Sequence, residues 1–223
     1  MILTLVITKD YIDPENMRML QEQNVAQDIY VVSAAPINIK NNIVVKVNQN
    51  LPLGFRMGKS INIALEKFSL DKYSHILKID GDVKLYPNTL DKLLALGKPF
   101  VGVGNCLLID MQLFLKLFKG KWGDCPAEDT FMLSLAFAVG VVDWYMFSPI
   151  EGYEHNFKPY SDRELYRFGE YERSLGYPLL YALYYTLLCR KIIYLVGWLN
   201  SSYKKAWFAD LLRRRVIVKS VLG

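Results

Sequence analysis

Cysteine and histidine are scarce in this chain of 223 residues, which holds three of the first and two of the second. Cys106, Cys125 and Cys189 are odd in number and include no CxxC pair, which excludes a disulfide scaffold. Each is expected to be a small apolar residue, and a reducing compartment suits the chain better than a secretory one. Charge is low as well: 22% of residues are charged against 52% hydrophobic, with a mean hydropathy of +0.12. That excludes a disordered polymer. The amino terminus, MILTLVITKD, has no basic n-region and no small-residue cleavage site, so no secretory signal is expected there. No internal repeat or low-complexity tract is visible. GFRMGKS has three residues between its glycines where a Walker A loop needs four, which argues against a P-loop nucleotidase. No glycine-rich loop follows the first apolar run, which argues against a nucleotidyltransferase.

What is present is enough apolar sequence for one large domain or two small ones. The net charge of +5 is unevenly spread. Residues 160–223 hold eleven basic and five acidic residues, so +6, and residues 1–159 hold sixteen and seventeen, so −1. Ten of the fifteen tyrosines lie from Tyr153 onward. The two parts are built for different surroundings.

Ile2 to Thr8 is nearly all apolar and β-branched, the pattern of a strand buried on both faces. Asp13-Pro14 reads as an N-cap and first helical residue, opening a helix to about Gln23. Further strands are expected at 29–33, 43–47, 75–79 and 99–103, with helices at 60–68 and 88–96. LPLGFRMGKS between them reads as a glycine loop. Strands alternating with helices predict an α/β fold with a mainly parallel central sheet flanked by helices, followed by carboxyl-terminal helices.

Ligands of open α/β sheets bind beyond the carboxyl ends of the strands. That rule selects Thr8 to Asp10, Ser33 to Pro36, the glycine loop with Arg56 and Lys59, and Asp80-Gly81-Asp82. The last carries the sharpest chemistry. Two carboxylates flank a glycine where the strand HILKI ends, a donor set suited to Mg²⁺ or Mn²⁺ shared with a diphosphate. Arg56 or Lys59, with the backbone N–H groups of a helix start, could neutralise that diphosphate. A second acidic pair, Glu128-Asp129, follows proline and alanine and precedes an apolar run, which places it on the first turn of a helix. One carboxylate held there could act as a general base. Helix capping explains the same pair equally well.

Taken together, IDGDV, GNCLLID and AEDT in this order resemble family 2 glycosyltransferases of the GT-A, Rossmann-like fold over roughly residues 1–175. The resemblance implies that Asp80 and Asp82 hold a divalent metal (Mn²⁺ or Mg²⁺) and the ribose and diphosphate of a nucleoside-diphosphate sugar. It implies Asp129 as the base that activates the acceptor, with Glu128 assisting. His155, on a stretch that folds back over the donor in similar proteins, becomes a metal or diphosphate contact. Tyr160, Arg163, Tyr166 and Arg167 could help close that lid. The chain departs from the pattern in two places. VVSAAP lacks the aspartate that reads the nucleotide base, and ITKD replaces the proline-threonine start. Base recognition is then expected from Thr8, Asp10 or backbone groups.

Residues 176–223 read as an amphipathic extension. PLLYALYYTLLCRKIIYLVGWLN is long enough to span a bilayer, but Arg190-Lys191 falls at its centre, where charge is most costly. A single helix would gather Tyr181, Tyr185, Leu188, Ile192, Leu195, Val196, Leu199 and Tyr203 on one face. Trp207, Phe208, Leu211 and Leu212 follow, before three arginines. This pattern predicts peripheral contact through residues 178–215 with the inner face of a membrane, in the cytoplasm. Packing on the domain or in a homodimer is the alternative. The leading reading is a metal-dependent, inverting glycosyltransferase acting on a glycan, lipid-linked or protein acceptor. A catalytically inert nucleotide-binding scaffold at the membrane is its rival. Stacking of nucleic acid on the basic aromatic tail is a third reading, and nucleic acid is not among the expected partners.

Overall fold

The computed structural model describes residues 1–142, 153–155 and 160–222. Two compact units divide the chain: Met1–Asp124 with Tyr145–Phe157, and Cys125–Trp144 with Lys158–Gly223.

The first unit is built around β1 (Ile2–Ile7), whose six residues are all buried. A strand without a polar face needs cover on both sides, and here it also has a parallel neighbour at each edge. These are β2 (Gln27–Ser33) and β4 (His75–Asp80). With β3 (Asn42–Val44), β6 (Phe100–Val103) and β7 (Cys106–Asp110) they form a six-stranded sheet in the order β3-β2-β1-β4-β7-β6. The first four strands in that order are parallel, and β7 runs antiparallel to both neighbours. The mainly parallel sheet expected from the alternation of elements is thus present.

Asp13 caps α1 (Pro14–Gln21), accepting from the Glu15 N–H at 2.8 Å with Pro14 at the first helical position. Packed on the sheet are α2 (Leu53–Leu65) against β1 and β2, and α4 (Met111–Phe118) against β4 and β7. The shorter α3 (Thr89–Ala95) buries Leu90 and Leu93. A separate ribbon pairs β5 (Val83–Leu85) with β8 (Tyr153–His155), Val83 opposite His155.

The expected loop at 51–60 is not there: Arg56 and Lys59 lie within α2. Gly54, Gly58, Ile61 and Leu65 recur at helical spacing on its buried side. A Cβ on Gly58 would stand 2.0 Å from the Gly123 carbonyl oxygen. The glycines therefore serve a close packing contact rather than a turn, which is why a composition-based reading mistakes them.

In the second unit α5 (Glu128–Ala138) packs with α9 (Ala209–Leu222), and Phe131 meets Phe208 edge-on at 5.5 Å. The capping box of Ser161 and Glu164 opens α6 (Asp162–Leu175). The single helix expected over 178–200 is two, α7 (Leu179–Cys189) and α8 (Ile192–Leu199). Arg190 takes a left-handed conformation (φ 53°), and the Arg190 and Lys191 N–H groups close the turn on the Leu187 and Thr186 carbonyls. The break at the charged pair lets α8 fold back against α7 and α6.

The expected shared face is consequently split. Tyr181, Tyr185, Leu195 and Tyr203 are half-buried, whereas Leu188, Ile192, Val196 and Leu199 are exposed. Tyr177, Tyr181, Tyr185 and Tyr194 form a file of rings with centroids 4.6, 6.2 and 4.6 Å apart. Buried Tyr194 donates its hydroxyl to the Glu172 carboxylate, itself buried. Two glycines allow the α6–α8 crossing: a Cβ on Gly169 would lie 2.1 Å from Tyr194 O, and one on Gly197 1.9 Å from Tyr166 O. Among the described residues no helix is long and apolar enough to cross a membrane.

Two outcomes are expected. Gly197→Ala forces α8 off α6 and should cost about 2 kcal/mol or more in chemical denaturation, since overpacking at backbone contacts has no side chain to rotate away. Burial pushes the Glu172 carboxyl from its ordinary 4.5 to about 7, against the opposing pull of the Tyr194 hydroxyl. The folded chain then keeps a proton that the unfolded chain has lost, so stability should fall as pH rises from 4.5 to about 7 and level off above. Thermal midpoints across that range should show a flatter slope in Glu172→Gln.

Candidate active site

Strands β2 and β3 lie on one side of β1 and β4 on the other, so the connection reverses direction between β1 and β4. Open α/β sheets offer a crevice at such a point, outside the carboxyl ends of the strands. Ile7 stands opposite Asp80 in the register, and the Gly81 N–H donates to the Ile7 carbonyl at 2.8 Å. Thr8, Asp80 and Gly81 therefore meet at one edge. A Cβ on Gly81 would come within 3.0 Å of Thr8 Cβ, so the residue between the two carboxylates has little room for a side chain. Thr8 is held by its own backbone bond to Val32 O (3.0 Å) and donates its hydroxyl to the Tyr11 carbonyl. From α1, Asn16 donates to Gly81 O at 3.3 Å.

Asp80 is half-buried and Asp82 exposed. Two carboxylates spaced by a side-chain-free residue suit a hard divalent cation that completes its shell on a ligand's phosphates. Among the described residues, no group of three His, Cys, Asp or Glu could hold a metal without such help. His155 enters the same neighbourhood through its backbone, opposite Val83 and one residue from Asp82. Its side chain lies outside the described residues, and with it the expected metal contact.

A residue that sequence reasoning passed over belongs to this edge. Lys78, read there only as part of a buried strand, is 1% exposed, and its Nζ lies 2.7 Å from Asp80 Oδ1. The same ammonium donates to Gly104 O at 2.7 Å. The signal was available: a lysine in a strand buried on both faces requires a partner, and a residue two positions on shares its face. Neighbouring Cys106 is wholly buried, and burial pushes its thiol up to about 12.

The other expected donor residues of this unit sit less centrally. Asp10 is exposed and 3.8 Å from Lys9 Nζ, a pair of surface type. Arg56 donates to Gln49 Oε1 at 2.8 Å, while its Nε is buried without a partner. Lys59 pairs with Asp124 at 3.1 Å, both side chains nearly half exposed. Lys59, Asn62, Glu66, Lys121, Trp122 and Asp124 help line a cavity of about 460 Å³ along α2.

Glu128 and Asp129 open α5 in the second unit, as expected, with Ala127 at the cap position and no side-chain cap bond. Glu128 is buried. Asp129 Oδ1 accepts from the Thr130 N–H at 2.6 Å and stays partly exposed. Their charges reach a cluster of neutral acids. Burial, and after it Asp129, pushes the Tyr160 phenol up to about 12. Burial likewise raises the Cys125 thiol to about 12, although Tyr171 hydrogen-bonds it. Of the other residues expected to help close a lid, Arg163 is exposed on α6, while Tyr166 and Arg167 are half-buried.

The fold has relatives of known structure. Over its whole length the chain superposes on 75% of the mannosyltransferase PcManGT from Pyrobaculum calidifontis, solved with GDP-mannose and Mn²⁺ (TM-score 0.56, 13% identity). A second structure, a mutant β1,4-galactosyltransferase 7 from Drosophila with manganese, UDP-galactose and xylobiose, matches 71% of this chain and 72% of its own (TM-score 0.41, 18% identity). No protein-family model matches the sequence, and no curated protein sequence does. The chain thus shares the fold of the Pyrobaculum mannosyltransferase.

Proposed function

We propose that this protein is a metal-dependent glycosyltransferase of the GT-A type, using a nucleoside-diphosphate sugar and resembling family 2. One observation carries the reading: Asp80-Gly81-Asp82 ends a central parallel strand at the point where the sheet reverses its order. The fold shared with the Pyrobaculum mannosyltransferase supports it. Asp80 and Asp82 would hold a divalent cation together with the donor's diphosphate, and a cation there neutralises charge on the departing diphosphate. Thr8 and Asp10 would meet the nucleoside, and Arg56 or Lys59 the phosphates. His155 would add a contact from the β8 strand. Asp129, with Glu128 beside it, would take the proton of an acceptor hydroxyl. The acceptor oxygen then bonds to the anomeric carbon from the face opposite the diphosphate, which leaves with the electron pair of its C–O bond. Such a displacement inverts the anomeric centre. Glycan, lipid-linked and protein hydroxyls are all acceptors that this step accommodates.

In the presence of Mn²⁺, one nucleotide sugar of a panel should raise the melting temperature as RT ln(1 + [L]/Kd) requires, and Asp82→Ala should abolish the shift. Asp129→Asn should keep the shift and lose roughly 10²- to 10⁴-fold in transfer rate, the usual range for a positioned base. If no nucleotide sugar shifts the melting temperature with any divalent metal, the enzyme reading fails. A shift with no transfer to any acceptor class would favour the inert scaffold.

The same reading places the enzyme on the inner face of an anionic membrane. In α7, Leu180, Leu183, Tyr184, Leu187 and Leu188 recur at helical spacing and stand exposed, Leu187 at 78% and Leu180 at 77%. Ile192 and Trp207 are 72% exposed. An apolar face of this kind marks an interaction site. Exposed Arg190, Lys191, Lys204, Lys205, Arg213 and Arg214 in the same segment suit acidic headgroups. The full chain should float with phosphatidylserine vesicles and detach in high salt, and L187D/L188D should remove the binding. If wild type ignores such vesicles but forms a dimer that L187D/L188D dissociates, the face belongs to a second copy instead.

A further inference from the structure

We infer that Asn105 is the residue at this edge that reads a hydroxyl of the transferred sugar, and so a determinant of which nucleotide sugar is used. The inference rests on the glycosyltransferase reading above and names a further contact in the same site. Asn105 closes the two-residue turn Gly104-Asn105 between Val103, at the end of β6, and Cys106, at the start of β7. Ile79 stands opposite Cys106 in the antiparallel β4–β7 register. The next pair outward is joined by the Asp80 N–H, which donates to the Asn105 carbonyl at 2.9 Å. Residues directly opposed on two strands carry their side chains on one face, with Cβ atoms roughly 5 Å apart. The backbone thus fixes Asn105 as the neighbour of the first carboxylate of Asp80-Gly81-Asp82. Lys78 Nζ holds the same turn from the other residue, donating to Gly104 O at 2.7 Å.

The amide oxygen, by contrast, is left over. Asn105 Oδ1 is buried without a hydrogen-bond partner, on a residue that is itself half-buried. Thr8 and Asn16, the other uncharged polar side chains placed at this edge, are committed to the fold. The Thr8 hydroxyl donates to the Tyr11 carbonyl and Asn16 to the Gly81 carbonyl at 3.3 Å. A buried amide oxygen left unpaired destabilises the free protein, and native chains keep such a group where a ligand, a water or an ion completes it. With no protein hydrogen bond to give up, Oδ1 can turn to a ligand without a compensating loss. A phosphate oxygen has no hydrogen to give it. A sugar hydroxyl both donates and accepts, and an amide offers an acceptor and a donor side by side.

A series of donors tests this. The nucleotide sugar that wild type prefers is compared with its deoxy analogues, one for each sugar hydroxyl, by calorimetric titration in Mn²⁺. One analogue should bind wild type roughly tenfold more weakly, the loss expected for hydrogen bonds to an uncharged amide. Asn105→Leu, similar in size and without polar atoms, should bind that analogue and the parent equally. It should bind Mn²⁺ and the free nucleoside diphosphate as wild type does. It should also melt no lower than wild type, because it removes a polar atom that no protein group satisfies. Asn105→Ala, which adds no bulk to the turn, should show the same convergence of parent and analogue. Absence of nucleotide-sugar binding by wild type would remove the glycosyltransferase reading, and this inference with it. Binding by wild type in which every analogue loses as much in both variants as in wild type would overturn the role of Asn105 alone. So would a fall in Mn²⁺ affinity in both variants, which makes the amide a metal ligand. Lower melting temperatures together with loss of nucleoside-diphosphate binding would make Asn105 a part of the fold and overturn the inference as well.

Discussion

Complete burial of β1 is the constraint from which the first unit follows. Six consecutive buried residues leave no face for solvent, so the strand must sit inside the sheet with helices above and below. Parallel partners on both edges, β2 and β4, require crossover connections on opposite sides, and the reversal between them creates a crevice at the carboxyl ends. The position of Asp80 and Thr8 side by side is a consequence of that register rather than of any attraction between them. An apolar strand thus determines where polar chemistry can occur.

Polar groups near this edge carry structural duties as well. Lys78 and the Asp80 N–H bind the β6–β7 turn, Thr8 ties off the following loop, and Asn16 fastens α1 to Gly81. Anchoring of this sort fixes the geometry of the edge in advance, and a pre-formed site lowers the entropy lost on binding. Removing Asp80 would therefore also destabilise the fold, because Lys78 is its buried ion-pair partner. Asp82 lies beyond the strand and is exposed.

The second unit follows a different rule. Its helices approach through glycines, Gly169 and Gly197 at one crossing and Gly176 against the Ala209 carbonyl at another. Tyrosines fill the space between, and their hydroxyls need partners: Tyr194 donates to Glu172, and Tyr177 shares a hydrogen bond with the Ser134 hydroxyl. The concentration of tyrosine after residue 153 is in good part an interior feature. Apolar side chains meanwhile face outward along α7, an inversion that an ordinary solvated helix would not keep.

The alternation of apolar runs with helical periods was sufficient to place β1, β4, α1 and α5, because burial on both faces and a capped first turn leave direct marks in the residues. It also located Asp80-Gly81-Asp82 at a strand end and Glu128-Asp129 at a helix start. It cannot tell a glycine used for flexibility from one used for close approach, so the first two turns of α2 carry the composition of a loop although Gly58 packs against Gly123. Nor could periodicity place the break at Arg190, where α8 folding back on α6 outweighs continuing one helix. Lys78 shows the same division. Its type and spacing required a partner on the same strand face, but that the ammonium also binds the Gly104 carbonyl depends on a strand pairing twenty-six residues away. Local patterns determine which elements form and which faces are buried; contacts between distant segments depend on how those elements pack, and packing is not periodic in sequence.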